Sequence, residues 1–233
     1  MTLRALLGAL AALAVCVPPA THARDGRALP RGYANPSALI AAEIAFAQLA
    51  QAKGQWTAFR ETAAPDAEMF VPQRVRAQDW LKKRANPPAA VRWQPHEVWM
   101  SCDGSFGITR GAWQGAGGGN GYFTTIWQRQ EKGGSKGGGY KWVLDQGDAL
   151  AQPLAPPEMI AGKVADCRPG AGPVPASPPP PGIDAKDGAS ADRTLQWSSW
   201  VWPDGSRAIS AWLWNGTGFD PVLNLRVAAA PVG

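Results

Sequence analysis

The chain is short of the residues on which most metal and acid–base chemistry rests. It has 3 Cys, 2 His and 3 Tyr in 233 residues. Past an apolar run at the N-terminus, no stretch approaches the about 20 apolar residues that a membrane-spanning helix needs. There is no G-x-x-x-x-G-K-[ST] phosphate loop and no G-x-S-x-G nucleophile elbow. The Gly-rich stretches Gly115–Gly121 and Gly133–Gly139 do not lead from a strand into a helix, so they are predicted to be hairpin connections. The formal charge is +5, with Lys and Arg scattered. A nucleic-acid surface needs a clustered basic stripe, so none is expected, and no cofactor motif is present.

What is present is tryptophan, 12 of them, with 27 Gly and 22 Pro gathered into a few segments. The N-terminus reads as a cleavable leader. Met1–Arg4 is short and basic, Ala5–Val17 is apolar, Pro18 and Pro19 break the run, and Thr21-His22-Ala23 resembles an A-x-A cleavage site. Residues 1–23 are therefore predicted to be a signal peptide and the mature chain to be periplasmic or secreted. Leu13-Ala14-Val15-Cys16 resembles a lipobox, but Val15 stands where Gly, Ala or Ser is needed, so plain export is expected over lipid anchoring at Cys16. Cleavage leaves His96 as the one His, and Cys102 and Cys167 as the two Cys. These can be a disulfide in an oxidising compartment or two free thiols. One His and two distant Cys do not make a zinc set.

Residues 24–35 form a polar leader. Ala38–Ala52 lacks Gly and Pro, and Leu39, Ala42, Phe46 and Leu49 recur at helical spacing. A second short helix carries Trp56 and Phe59. Glu68–Val71 is a short strand closed by Pro72, and Arg76–Lys83 is a third helix. The pattern then changes to four strands: Val91–Ser101, Phe106–Gln114, Tyr122–Gln130 and Tyr140–Asp145. Asp103-Gly104 is a hairpin turn signal. Residues 36–149 are thus expected to be an α+β domain, helices packed on a curved antiparallel four-strand meander. The Pro-, Gly- and Ala-rich residues 150–190 read as a linker. Residues 191–228 read as a Trp-rich β-hairpin element, Thr194–Trp202 and Ser206–Trp214, with Val222–Val227 a further candidate strand. A lone hairpin is marginal in water, so its Trp residues are predicted to pack onto the main domain or a partner.

Several motifs, in order, carry a resemblance: helix 1 (Leu39-Ile40-Ala41-Ala42-Glu43-Ile44-Ala45-Phe46-Ala47), Ala64-Pro65-Asp66-Ala67-Glu68-Met69-Phe70, Trp93-Gln94-Pro95, Gly104–Gly111, Tyr122–Arg129 and Lys141–Gly147. Together they resemble the SnoaL-like and ketosteroid-isomerase-like branch of the nuclear transport factor 2-like superfamily, and most nearly the group called domain of unknown function 4440. The resemblance spans about Pro36–Asp148, with Ser105 where that group often has Asp. It implies a cone-shaped fold with an apolar pocket and a homodimer. It also implies a catalytic Asp just before the Pro that closes the first strand, but Val71 stands there. The donor Tyr of helix 1 falls near Phe46 or Ala47. Isomerase chemistry of that kind is not expected.

Glu43, His96 and Asp145 remain as acid–base candidates. Glu43 borders the apolar face of helix 1, where an acid must pair or shift its pKa, and Asp145 ends the last strand. Two acids facing one cavity could divide acid and base work; the alternative is a salt bridge for Glu43 and a strand-end cap for Asp145. Trp56, Phe59, Met69, Trp80 and Trp93 are the predicted walls of a ligand pocket. The leading expectation is an exported binding or assembly domain for a small apolar or aromatic ligand. The alternatives are a lyase or isomerase using Glu43, His96 or Asp145, and an interaction protein using its C-terminal hairpin.

Overall fold

A computed structural model describes residues 34–130, 139–174 and 179–229. The predicted leader, nearly all of the polar segment after it and most of the second Gly-rich connection lie outside the described residues.

The chain opens with α1 (Pro36–Lys53) and α2 (Gln55–Thr62). The Asn35 side chain accepts from the Ala38 amide at 3.2 Å and Pro36 takes the first turn, an N-terminus built as helix starts commonly are. Gly54, at φ +94°, breaks α1 from α2. Then follow β1 (Ala63–Phe70), β2 (Arg74–Arg76) and the single turn α3 (Ala77–Leu81). The central meander is β3 (Arg92–Met100), β4 (Phe106–Gln114), β5 (Asn120–Arg129) and β6 (Tyr140–Ala149). Next come β7 (Ala161–Val164), β8 (Asp184–Ala189), β9 (Leu195–Val201), β10 (Arg207–Trp214) and β11 (Phe219–Val227).

This corrects the expected architecture. Instead of a cone of helices on a four-strand meander with a trailing hairpin, the structure has a mixed seven-stranded sheet, ordered β2-β1-β6-β5-β4-β3-β7, and a separate four-stranded sheet, β11-β10-β9-β8. The meander is the middle of the larger sheet. β1 runs parallel to β6, with Met69 opposite Asp145, and β7 runs parallel to β3. The added strands β7 and β8 lie in the segment read as a linker. Their sequences, AGKV and DAKDGA, are exposed or half-buried and lack apolar alternation. They are edge strands whose backbone groups pair without side chains that bury, and periodicity gives no signal there.

The large sheet is covered on both faces. On one side, α1, α2 and α3 bury Leu39, Phe46, Ala50, Phe59 and Leu81 with Val98, Met100, Trp127 and Trp142. On the other, the four-stranded sheet packs Leu195, Trp197, Ile209, Leu213, Trp214 and Leu223 against Trp99, Ile108, Ile126 and Leu144. Burial of a large aliphatic or aromatic side chain contributes about 1.5–3 kcal/mol, so this second interface is as much a core as the first. Arg74 of β2 ties the sheets together, donating to Ser199 Oγ at 2.9 Å and to Asp184 Oδ2 at 2.7 Å. Cys102 and Cys167 form a disulfide, with Cα atoms 5.3 Å apart, joining the β3–β4 loop to the strand-free segment after β7. Among the described residues no helix is long and apolar enough to cross a membrane.

Candidate functional site

A cavity of about 270 Å³ lies between the helices and the meander. α1 supplies Phe46, and α2 supplies Gln55, Trp56 and Phe59. The end of β1 adds Met69 and Phe70, with Val71 just after it. Val91, Trp93, Trp113 and Phe123 complete an almost wholly apolar wall, and Thr125, Asp145, Gln146 and Gly147 form the far side. The aromatic rings meet edge to face: Phe46 with Phe59 at 4.8 Å and with Trp93 at 4.9 Å, Trp56 with Phe59 at 5.5 Å. That arrangement suits their quadrupoles and fixes the wall.

Of the five predicted wall residues, Trp56, Phe59, Met69 and Trp93 face this cavity. Trp80 stands behind it, edge to face against Trp56 at 5.2 Å, with the Arg84 guanidinium 3.5 Å over its ring. Trp113, one of the wider set of aromatics that could line a pocket, also faces the cavity, and Phe123 is a wall residue that sequence reasoning missed. They sit toward the paired ends of β4 and β5, where Gly111 is opposite Phe123 and Trp113 opposite Gly121, and line the cavity with Trp56 and Phe59 of α2. Val71 and Phe46, the positions at which the resemblance implies a base and a donor, are apolar wall.

Asp145 is the one acid of the cavity wall. Met69 of β1 and Thr125 of β5 flank it, and the Thr125 hydroxyl donates to its Oδ2 at 2.8 Å. Its other oxygen has no hydrogen-bond partner among the described residues. Burial raises the Asp145 pKa to about 8, the Thr125 hydrogen bond pulls it down, and the Glu43 carboxyl adds to the rise. The group is therefore a neutral carboxylic acid at neutral pH, with an O–H to offer to whatever fills the cavity.

Glu43 is fully buried in the middle of the covered face of α1, not at its border. No cation pairs with it among the described residues. Instead the Trp93 indole N–H donates to Oε1 at 2.7 Å, and Thr109 Oγ1 and the Trp127 N–H reach Oε2 at 2.6 and 3.0 Å. Burial pushes its pKa up, against the hydrogen bonds of Thr109, Trp93 and Trp127. Glu43 does not line the cavity; it holds one of its walls. Thr109 Oγ1 also approaches the Thr125 carbonyl at 3.4 Å, so a short polar seam runs from Glu43 to the residue that holds Asp145.

His96 stands apart. It sits at the irregularity of β3 between Pro95 and Glu97 and borders a different groove, with Gln48, Arg92 and Met159. Burial lowers its pKa, Glu97 opposing and Arg110 adding to the fall, and its Nε2 is buried without a partner. The three acid–base candidates therefore do not share one cavity. No cluster of three or more His, Cys, Asp or Glu suited to a metal ion occurs among the described residues.

No family model matches the chain, and no curated protein matches it. The resemblance to the domain of unknown function 4440 group thus stays one of motif order. Among solved structures that match is one described as a "putative aromatic ring hydroxylase" from Novosphingobium aromaticivorans. It is 14% identical, covering 51% of this chain and 91% of that one with a TM-score of 0.36, a likeness that carries no argument about chemistry.

Proposed function

We propose that the protein is an exported binding domain for a small, uncharged, ring-shaped ligand that carries one hydrogen-bonding oxygen. The observation that carries the reading is the combination of an aromatic cavity with one acid, Asp145, held protonated at its far side. Pockets of this make-up bind through apolar contact and take their orientation from a few polar groups. A neutral carboxyl donates to a carbonyl or phenolic oxygen, whereas an anionic ligand would meet no cation among the wall residues. Export is supported by the leader pattern and by the Cys102–Cys167 disulfide, which belongs to oxidising compartments. The motif resemblance to the SnoaL-like branch is compatible with a pocket between helices and sheet.

The test is a titration of the purified protein with a cyclic enone, a naphthol and a naphthalene carboxylate, followed by Trp fluorescence. The enone and naphthol should quench and compete with each other, and the carboxylate should not. No response to any of the three would sink the reading.

A second reading has one specific observation in its favour. A carboxyl titrating near 8 is suited to pass a proton at neutral pH, so Asp145 could act as the acid–base group of a lyase or isomerase. Hydrogen–deuterium exchange at the carbon next to the enone carbonyl, present in the wild type and absent in Asp145→Asn, would establish it. Binding without exchange would leave the protein a binder.

A further inference from the structure

The β3–β4 loop (Ser101–Ser105) and the β8–β9 loop (Ser190–Thr194) are the same object built twice. Each has five residues, and each closes a hairpin in the same register, Met100 opposite Gly107 and Ala189 opposite Gln196. Ser101 Oγ donates to Asp103 Oδ1 at 2.7 Å, and Ser190 Oγ to Asp192 Oδ1 at 2.6 Å. The Ser105 amide donates to Asp103 Oδ1 at 2.8 Å, and the Thr194 amide to Asp192 Oδ1 at 3.0 Å. Gly104 and Arg193 hold the same left-handed conformation, φ 63° and 61°, the second at the cost a side chain meets there.

The two loops also grip each other, and they do so reciprocally. The Asp103 amide donates to Asp192 Oδ2 at 2.8 Å, and the Asp192 amide to Asp103 Oδ2 at 3.0 Å. The Cys102 amide donates to Thr194 Oγ1 at 2.9 Å, and the Ala191 amide to Ser105 Oγ at 3.1 Å. Residue i touches j′ and j touches i′, which is the signature of a two-fold contact between identical surfaces. The sheets repeat the relation. Both meanders run in sequence order, β3 to β6 and β8 to β11, and they pack through matching faces. Ile108 and its counterpart Trp197, 89 positions on like Asp192 from Asp103, both lie in the shared core.

From this we infer that the C-terminal sheet is a second, helix-free copy of the meander, and that it occupies within one chain the place of a second subunit. The chain is a self-contained pseudo-dimer. The face of the first meander turned away from the helices is already filled by the second sheet, and the protein works as a monomer. Among the described residues only the first meander carries helices on its far face, and the cavity described above lies there. The homodimer implied by the family resemblance is thereby replaced by an internal pairing.

Two measurements on the full exported chain test this. Sedimentation equilibrium from micromolar to hundred-micromolar concentration should show one species at the monomer mass, at most the 24.6 kDa of the whole chain; a dimer overturns the proposal. Thermal unfolding of Asp103→Asn, Asp192→Asn and the double variant reads the symmetry. Each single variant removes one carboxylate oxygen from the same set of donors, so both should lower Tm by the same amount, roughly 3–10 °C. The double variant should fall short of their sum, because the two residues share reciprocal bonds. Unequal single effects, or full additivity, would overturn the two-fold relation. If the Asp variants fail to fold, Ser105→Ala and Thr194→Ala make the same comparison through the milder crossed pair.

Discussion

Trp93 gives its indole N–H to Glu43 Oε1 at 2.7 Å, and so a wall of the cavity hangs from a buried acid that has no cation beside it among the described residues. The same carboxyl receives Trp127 and Thr109. Three neutral donors on one buried carboxyl fix α1 to β3, β4 and β5 at a single register. They also make the shape of the cavity depend on a residue outside it.

Glu43→Ala should therefore cost both stability and ligand affinity. The Trp93 indole N–H would lose its acceptor, while the Trp127 N–H would keep only Thr109 Oγ1 at 3.0 Å and the Thr109 hydroxyl only the Thr125 carbonyl at 3.4 Å. The expected loss is about 3–5 kcal/mol by denaturant titration. Glu43→Gln keeps the volume and one acceptor and should lose about 1–3 kcal/mol. If both variants unfold like the wild type, the seam is not structural.

Asp145 makes stability depend on pH in a stated direction. Its pKa rises from an ordinary unfolded value to about 8 on folding, so between about pH 4 and pH 8 the folded state holds the extra proton. Its contribution is full below pH 4 and is lost as pH rises through 8. Asp145→Asn removes the titration and should be more stable than the wild type at pH 9, by on the order of 2 kcal/mol. Equal slopes of stability against pH in the two proteins would refute the assignment.

The same ionisation should be visible in binding. A neutral enone should bind more weakly as pH rises through about 8, because the O–H donor becomes a charge facing an apolar wall. The dependence should flatten in Asp145→Asn, read by Trp fluorescence at fixed ionic strength. Affinity that is level from pH 6 to 9 in the wild type would place the ligand oxygen elsewhere.

Removing the disulfide should destabilise strongly. Cys102 and Cys167 are 65 residues apart, and opening a loop of that length costs about 4 kcal/mol on chain-entropy grounds. The Cys102→Ser/Cys167→Ser protein should show that fall in denaturant, and the untreated wild type should contain no thiol that reacts at either position. Free thiols at both would show the bond is not formed.

Parts of this were legible from residues alone. The strand Phe106–Gln114 follows from the Asp103-Gly104 turn signal before it, and the start of α1 from Pro36 ahead of a run free of Gly and further Pro, because turn chemistry and local propensity act over a few residues. Trp56, Phe59, Met69 and Trp93 could be named as wall because large aromatics beside an apolar helix must bury somewhere. Phe123 could not, since its place in the wall depends on which strands and helices meet there. Nor could the roles of the acids. Glu43 and Asp145 look alike in sequence, and only the packed structure puts the first behind the wall and the second in it.

By itself the sequence determined the first helix and the four strands of the meander, the lack of a phosphate-loop or nucleophile-elbow motif, and that Val71 stands where the resemblance implies a base. The tertiary structure alone decided that polar edge strands such as AGKV and DAKDGA join sheets, that two serine–aspartate loops hydrogen-bond each other reciprocally, and that burial raises the pKa of Asp145. The reason is common to all three. Backbone pairing, isologous contact and desolvation depend on which atoms come near from distant parts of the chain, and no window along the sequence contains both partners.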